Sequence, residues 1–261
     1  MDCVNKTLYI PLYGKAYVSR RGLFLEDPMA ERIWGAEGFP LKGKSASKWL
    51  AYYMGIRSAV FDDWTRQQLA DHPDGVVLHL GCGLDSRCLR AGDGKRRWYD
   101  VDFPDVIAER KRYFSESDDY RMICADVRDP NWLEALPETG TAIVVMEGIS
   151  MYLAPEELNR LMAGLCAHFR RILCLMDCYS TMAAKLSRYK NPINDVGVTR
   201  VYGMDDPAVL NVGGLCFLRE QEMTPQRYVD QLKGMEKTVF SKLYGGGFSR
   251  KLYRLYEYGT M

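Results

Sequence analysis

One stretch constrains this chain more than any other, Val76 to Arg87, which reads V-V-L-H-L-G-C-G-L-D-S-R. An apolar run breaks on Gly81-Cys82-Gly83 and then meets Asp85. A second acid, Asp102, follows Gly83 by 19 residues and closes another apolar run that begins at Trp98. A strand, a glycine-rich turn and an acid on the next strand make a nucleotide-type pocket at the edge of a parallel sheet. The glycines let the backbone approach the ligand, and the acid accepts from both ribose hydroxyls. A dinucleotide loop places a third glycine where Ser86 stands, and an acid such as Asp85 is a poor neighbour for phosphate. The expected ligand therefore carries a ribose, no phosphates and a positive charge, and S-adenosyl-L-methionine fits. Two other readings compete. One is a nicotinamide-dependent oxidoreductase, which Ser86 and Asp85 argue against. The other is a non-catalytic cofactor-binding protein of the same fold.

The pattern around this stretch predicts an α/β chain. Residues 1–74 read as helical, with Trp49, Tyr53, Ile56, Val60 and Trp64 at helical spacing, and Asp71-His72-Pro73-Asp74-Gly75 breaks the chain. Residues 75–261 then alternate strands with helices. Strands are expected at Val76–Leu80, Arg97–Val101, Arg121–Ala125, Thr141–Met146 and Ile172–Met176. One helix is expected to open at Pro104 and carry Val106, Ile107 and Phe114. Another should open at Pro155 and bury Leu158, Leu161, Met162, Leu165 and Phe169. Such alternation means a mostly parallel sheet with helices on both faces, and the acids at strand ends (Asp102, Asp126, Glu147, Asp177) mark its ligand edge. Ser187–Gly214 reads as irregular, Leu215–Arg219 as a sixth strand, and Arg250–Tyr258 as a last strand approached through Gly245-Gly246-Gly247.

Formal net charge is +1, so nothing calls for a nucleic acid or membrane partner. Lys95-Arg96-Arg97 and Arg110-Lys111-Arg112 read as solvated clusters. The eight cysteines form no C-x-x-C pair; Cys124, Cys166, Cys174 and Cys216 sit in apolar stretches as small core residues would in a reducing compartment. Three scattered histidines offer no metal spacing. No signal-like N-terminus and no run near the ~20 residues of a membrane span is visible, so a cytoplasmic protein acting on a small molecule is expected.

Several segments, in order, resemble the leucine carboxyl methyltransferase family in its broad sense, and within it the bacterial tetracenomycin-type polyketide O-methyltransferases. They are Pro11-Leu12-Tyr13-Gly14-Lys15-Ala16, Asp27-Pro28, Arg57 with Phe61-Asp62-Asp63, Leu80 to Arg87, Val101 to Pro104, Ala125 to Pro130, and Glu147-Gly148 with Met151-Tyr152-Leu153. Cys82 stands where that family usually has alanine, and Lys15 where arginine is commoner. The resemblance implies a class I methyltransferase (Rossmann-like) sheet under a helical N-terminal cap. It also implies roles. Gly81 and Gly83 would line methionine and ribose, and Asp102 would hold the ribose hydroxyls. Asp126 and Val127 would face adenine, Glu147 the methionine ammonium, and Arg57 and Lys15 the methionine carboxylate. The short interval from Asp102 to Asp126 points away from the protein-methylating branch and towards a small acceptor.

Blander roles compete for each residue. Arg57 on an apolar helix face needs a partner, with Asp62 and Asp63 at hand. Lys15 equally fits a solvated surface position, and Asp126 a helix cap. His79, mid-strand, reads as a hydrogen-bonded core histidine, and Tyr152 as a packed tyrosine or a substrate contact. No general base stands out, which favours an acceptor that is already ionised: a carboxylate, or an acidic phenol or enol.

Overall fold

The computed structural model describes residues 5–38, 41, 43–92, 94–137, 140–187 and 201–260. Seven strands form one sheet: β1 (Val76–Leu80), β2 (Trp98–Asp102), β3 (Tyr120–Cys124), β4 (Thr141–Met146), β5 (Arg171–Tyr179), β6 (Leu215–Gln221) and β7 (Tyr253–Thr260). Their order is β3-β2-β1-β4-β5-β7-β6. β1 to β5 run parallel, while β7 is antiparallel to both of its neighbours. The chain moves outward from β1 through β2 to β3, then returns to the other side of β1 with β4. That reversal opens a crevice at the carboxyl ends of β1 and β4.

The helices are α1 (Tyr9–Arg20), α2 (Pro28–Glu37), α3 (Lys48–Asp71), α4 (Arg87–Arg90), α5 (Pro104–Arg110), α6 (Pro155–His168), α7 (Thr181–Ser187), α8 (Gln226–Val229), α9 (Gly234–Tyr244) and α10 (Gly247–Leu252). Alternation along each central strand divides the core. Val77, Ile143, Val145 and Leu175 pack with Ile56, Val60 and Trp64 of α3. Leu78, Val144, Met146 and Met176 point the opposite way and pack with Leu158, Leu161, Met162 and Leu165 of α6. Fully burying each such side chain stabilises the fold by roughly 1.5–3 kcal/mol. α3 is buried on nearly every side because α1 and the C-terminal helices cover what the sheet does not. Gly55 permits the α1 contact, since a Cβ there would stand 2.7 Å from Val18.

The expected strands are present; β2 and β3 are each shifted by one residue, β6 runs on to Gln221, and three further elements differ. β5 runs on to Tyr179, where β7 continues to pair with it. The last strand begins at Tyr253, because Gly247–Leu252 closes a helical turn first. α5 stops at Arg110, although Phe114 beyond it is still buried. Of the expected irregular segment, residues 188–200 lie outside those described, and Pro207–Leu210 forms a short 3-10 turn. The cysteine reading holds only for Cys174: Cys124 is exposed, and Cys166 and Cys216 are half-buried. Among the described residues no helix is long and apolar enough to cross a membrane.

Candidate functional site

β1 ends at Leu80, and the chain turns at once on Gly81 with φ +66°. The turn is pinned to β2, since the amides of Gly81 and Cys82 both donate to the Val101 carbonyl, at 2.8 and 3.3 Å. A Cβ on Gly81 would stand 2.7 Å from the Ile149 side chain, so backbone and not side chain faces the crevice there. Gly81→Ala is expected to incur roughly 1–2 kcal/mol for the left-handed backbone alone. Differential scanning fluorimetry should show its melting temperature lower by roughly 2–8 °C at ~2–4 °C per kcal/mol.

Asp102 closes β2 opposite this turn. Its Oδ2 accepts from the Gly83 amide at 2.7 Å and its Oδ1 from the Phe103 amide at 2.8 Å. Each carboxylate oxygen keeps a further acceptor position. No cation among the described residues pairs with it. Burial raises its carboxyl, and the two amides oppose that rise.

Beneath the turn lies a continuous buried ion network. Lys15 reaches Asp85 at 3.1 Å. Asp85 also meets Arg90 at 2.9 Å and Arg87 at 3.5 Å. Asp62 bridges Arg87 and Arg90, both at 2.7 Å, and Asp27 pairs with Arg90 at 2.5 Å. Arg87 then contacts Glu147, which also receives Arg57 at 3.0 Å. Arg57 continues to Asp177 at 2.9 Å and to the Tyr253 hydroxyl at 2.5 Å. Burial raises the Glu147 carboxyl, but Arg87 and Arg57 more than reverse this and bring it to about 2. Asp85 also falls well below its ordinary value, because Arg90, Lys15 and Arg87 outweigh burial. Burial dominates at Asp177, whose carboxyl is raised. The network holds four cations (Lys15, Arg57, Arg87, Arg90) against five carboxylates (Asp27, Asp62, Asp85, Glu147, Asp177), an excess of one negative charge before Asp102 is added.

Network, turn and Asp102 border a cavity of about 780 Å³. All the candidate residues line it: Lys15, Arg57, Gly81, Gly83, Asp85, Asp102, Asp126, Val127, Glu147 and Tyr152. So do His79 and, on the far side, Trp49, Tyr53, Tyr179, Leu186, Tyr244 and Tyr253. The tyrosines touch one another. Tyr53 stacks on Tyr244 with centroids 4.7 Å apart, and Tyr253 meets Tyr179 edge-on at 4.9 Å.

Several of the blander readings are corrected. Lys15 is 2% exposed and is no solvated residue. Arg57 takes Glu147 and Asp177 as partners, whereas Asp62 serves Arg87 and Arg90 and Asp63 serves Arg66 and Arg227. Asp126 caps no helix; its carboxylate accepts from the backbone and guanidinium of Arg128. Arg110 is fully buried against Asp100 and the Gly83 carbonyl, unlike its exposed neighbours Lys111 and Arg112. His79 is a core histidine, its Nδ1 3.2 Å from Asp100. Sequence reasoning assigned nothing to Asp27, Arg87 and Arg90. Arg87 and Arg90 lie on one face of α4 at i and i+3, which was the available signal.

The profile of the leucine carboxyl methyltransferase family matches residues 11–166. The tetracenomycin polyketide synthesis O-methyltransferase TcmP of Streptomyces glaucescens is 33% identical over 241 residues, 90% of this chain and 89% of that one. Among solved structures, a putative methyltransferase of Thermobifida fusca superposes with a TM-score of 0.58 at 13% identity, covering 95% of this chain and 93% of that one. Magnesium protoporphyrin IX methyltransferase of Synechocystis PCC 6803, solved with bound SAH, gives 0.52 at 13% identity over 88% and 93%. The sheet is that of the class I methyltransferases.

Proposed function

The chain belongs to the leucine carboxyl methyltransferase family, and from that premise we propose that it transfers a methyl group to a carboxylate or acidic hydroxyl of a small, polyketide-like molecule. Its methyl donor is S-adenosylmethionine. The residues present fit that donor. Gly81 and Gly83, both at positive φ, bring backbone to the cavity wall, and Asp102 keeps two acceptor positions for a pair of hydroxyls.

In this reading Asp102 holds the ribose hydroxyls, and Gly81 and Gly83 line the ribose and methionine. Val127 and Asp126 border the adenine, with Asp126 accepting from its amino group. Glu147 lies by the methionine ammonium. Lys15, held by Asp85, and Arg57, held by Glu147 and Asp177, supply the methionine carboxylate with cations whose side chains are already fixed. Residues 1–74 act as a helical cap over the donor domain, 75–261. When bound, the donor presents a methyl group on a sulfonium, open to in-line displacement by oxygen. The protein's own work is to align the two reactants and keep water out.

The carrying observation is the division of the cavity. The carboxylates and the imidazole that line it among the described residues (Asp85, Asp102, Asp126, Glu147 and His79) come from the sheet end and its loops, and the rest of the lining is mostly aromatic and aliphatic, with Lys44, Ser47, Ser187 and Ser249 among its polar members. Among the described residues that part of the lining offers no carboxylate or imidazole base. A carboxylate is ionised at neutral pH and needs none, whereas a phenol with a pKa near 10 does. Transfer of labelled methyl to a panel of aromatic carboxylic acids should therefore proceed at a rate flat from about pH 6 to about 9. Transfer only to phenols or amines, or a rate rising about tenfold per pH unit, rejects the carboxylate assignment.

A further inference from the structure

We propose that Tyr53 is an acceptor-binding residue, whose hydroxyl donates a hydrogen bond to an oxygen of an aromatic carboxylate seated against the Tyr53–Tyr244 stack. The inference rests on the division of the cavity into donor and acceptor halves.

Three observations place it. Tyr53 lies one helical turn before Arg57 on α3, so the two share a face, and both line the cavity. Arg57 marks the donor end, and Trp49, one turn further back, lines the outer part. The three residues span about 12 Å along the helix at ~1.5 Å per residue, room for two or three fused rings. Tyr53 therefore stands between the outer chamber and the donor, where the reacting end of an acceptor must come.

Its hydroxyl is also available. The Tyr253 hydroxyl is held between Arg57 and Asp177, and Tyr152 bonds Thr7. Tyr53, only 6% exposed, has no hydrogen-bond partner for its hydroxyl among the described residues. Its ring is fixed by the stack on Tyr244, whose ring stacks in turn on Phe240 at 5.3 Å. Finally, burial raises the Tyr53 phenol well above its ordinary value, against the pull of Arg57. It therefore stays protonated at working pH and acts as a donor, never as a base.

The chemistry is consistent with this role. The attacking carboxylate oxygen supplies the electron pair of the new O–CH3 bond. The pair of the breaking S–CH3 bond remains on sulfur, and no proton is released. A donor on the second carboxylate oxygen orients the first without removing its charge.

The test uses full-length protein loaded with S-adenosylhomocysteine and titrated with 9-anthracenecarboxylic acid and with its primary amide, read by tryptophan fluorescence. A hydrogen bond to a charged group is worth ~1.5–3 kcal/mol. Tyr53→Phe, which keeps the stack, should bind the acid roughly 10- to 100-fold more weakly than the wild type and the amide nearly equally. Tyr53→Leu, which removes the stack, should weaken both. Equal affinity of wild type and Tyr53→Phe for the acid, or a loaded wild type that does not bind the acid, overturns the proposal. Calorimetry of S-adenosylhomocysteine on the same samples is a separate readout. Failure of the wild type to bind it strikes at the methyltransferase reading instead.

Discussion

Asp102→Ala is expected to reduce S-adenosylmethionine affinity by at least a hundredfold in isothermal titration calorimetry. Two hydroxyl bonds to one carboxylate contribute ~1.5–3 kcal/mol each, so losing both removes roughly 3–6 kcal/mol, about two to four decades in Kd. The substitution also takes the partner from the Gly83 amide and loosens the turn that approaches the ligand. Asp102→Asn separates the two effects. It keeps one acceptor oxygen but presents an amide NH2 where Asp102 now accepts, so its affinity should fall between the other two. Wild-type affinity in the alanine variant would mean that the ribose does not sit against β2, and the donor site would have to be placed elsewhere.

Arg87→Met should cost about 3–5 kcal/mol of stability, a larger effect than any surface substitution in this chain. Arg87 is fully buried and serves Asp62, Glu147 and Asp85 at once. Removing one side of a buried pair leaves uncompensated charge, which costs far more than the intact pair contributes. At ~2–4 °C per kcal/mol the melting temperature should fall by roughly 6–20 °C at pH 7. The pH dependence has a definite sign. Glu147 titrates at about 2 in the folded chain, below its ordinary 4.5. Its contribution is therefore full above ~4.5 and is lost as pH falls towards 2. Without Arg87 its carboxyl rises, so acid unfolding should begin at higher pH than in the wild type. An unchanged melting temperature would show that the network carries no net stabilisation through Arg87.

The local pattern made the sheet legible. Val76–Leu80 and Thr141–Met146 occur where the apolar runs lie, because a strand buried on both faces needs apolar residues at nearly every position; buried His79 is the exception in β1. The last strand began late because Arg250–Leu252 suits a helical turn as well as a strand. The charged residues were harder to read. Arg110 and Lys111 are neighbours in one basic run, yet one is buried on Asp100 and the other is exposed. Nothing local separates them, since the partner lies 10 residues away on another element.

By itself the amino-acid order determined the strand-turn-strand frame, the glycines that expose backbone at its edge, and the acid that closes β2. These depend on side-chain size, backbone freedom and periodicity over a few residues. Only the folded chain decided who neutralises whom: Arg57 with Glu147 and Asp177, Lys15 with Asp85, and Arg87 with Asp62. It also left the Tyr53 hydroxyl without a hydrogen-bond partner among the described residues. A buried charge must find an opposite charge wherever the fold brings one near, and that distance is a property of packing, not of sequence spacing.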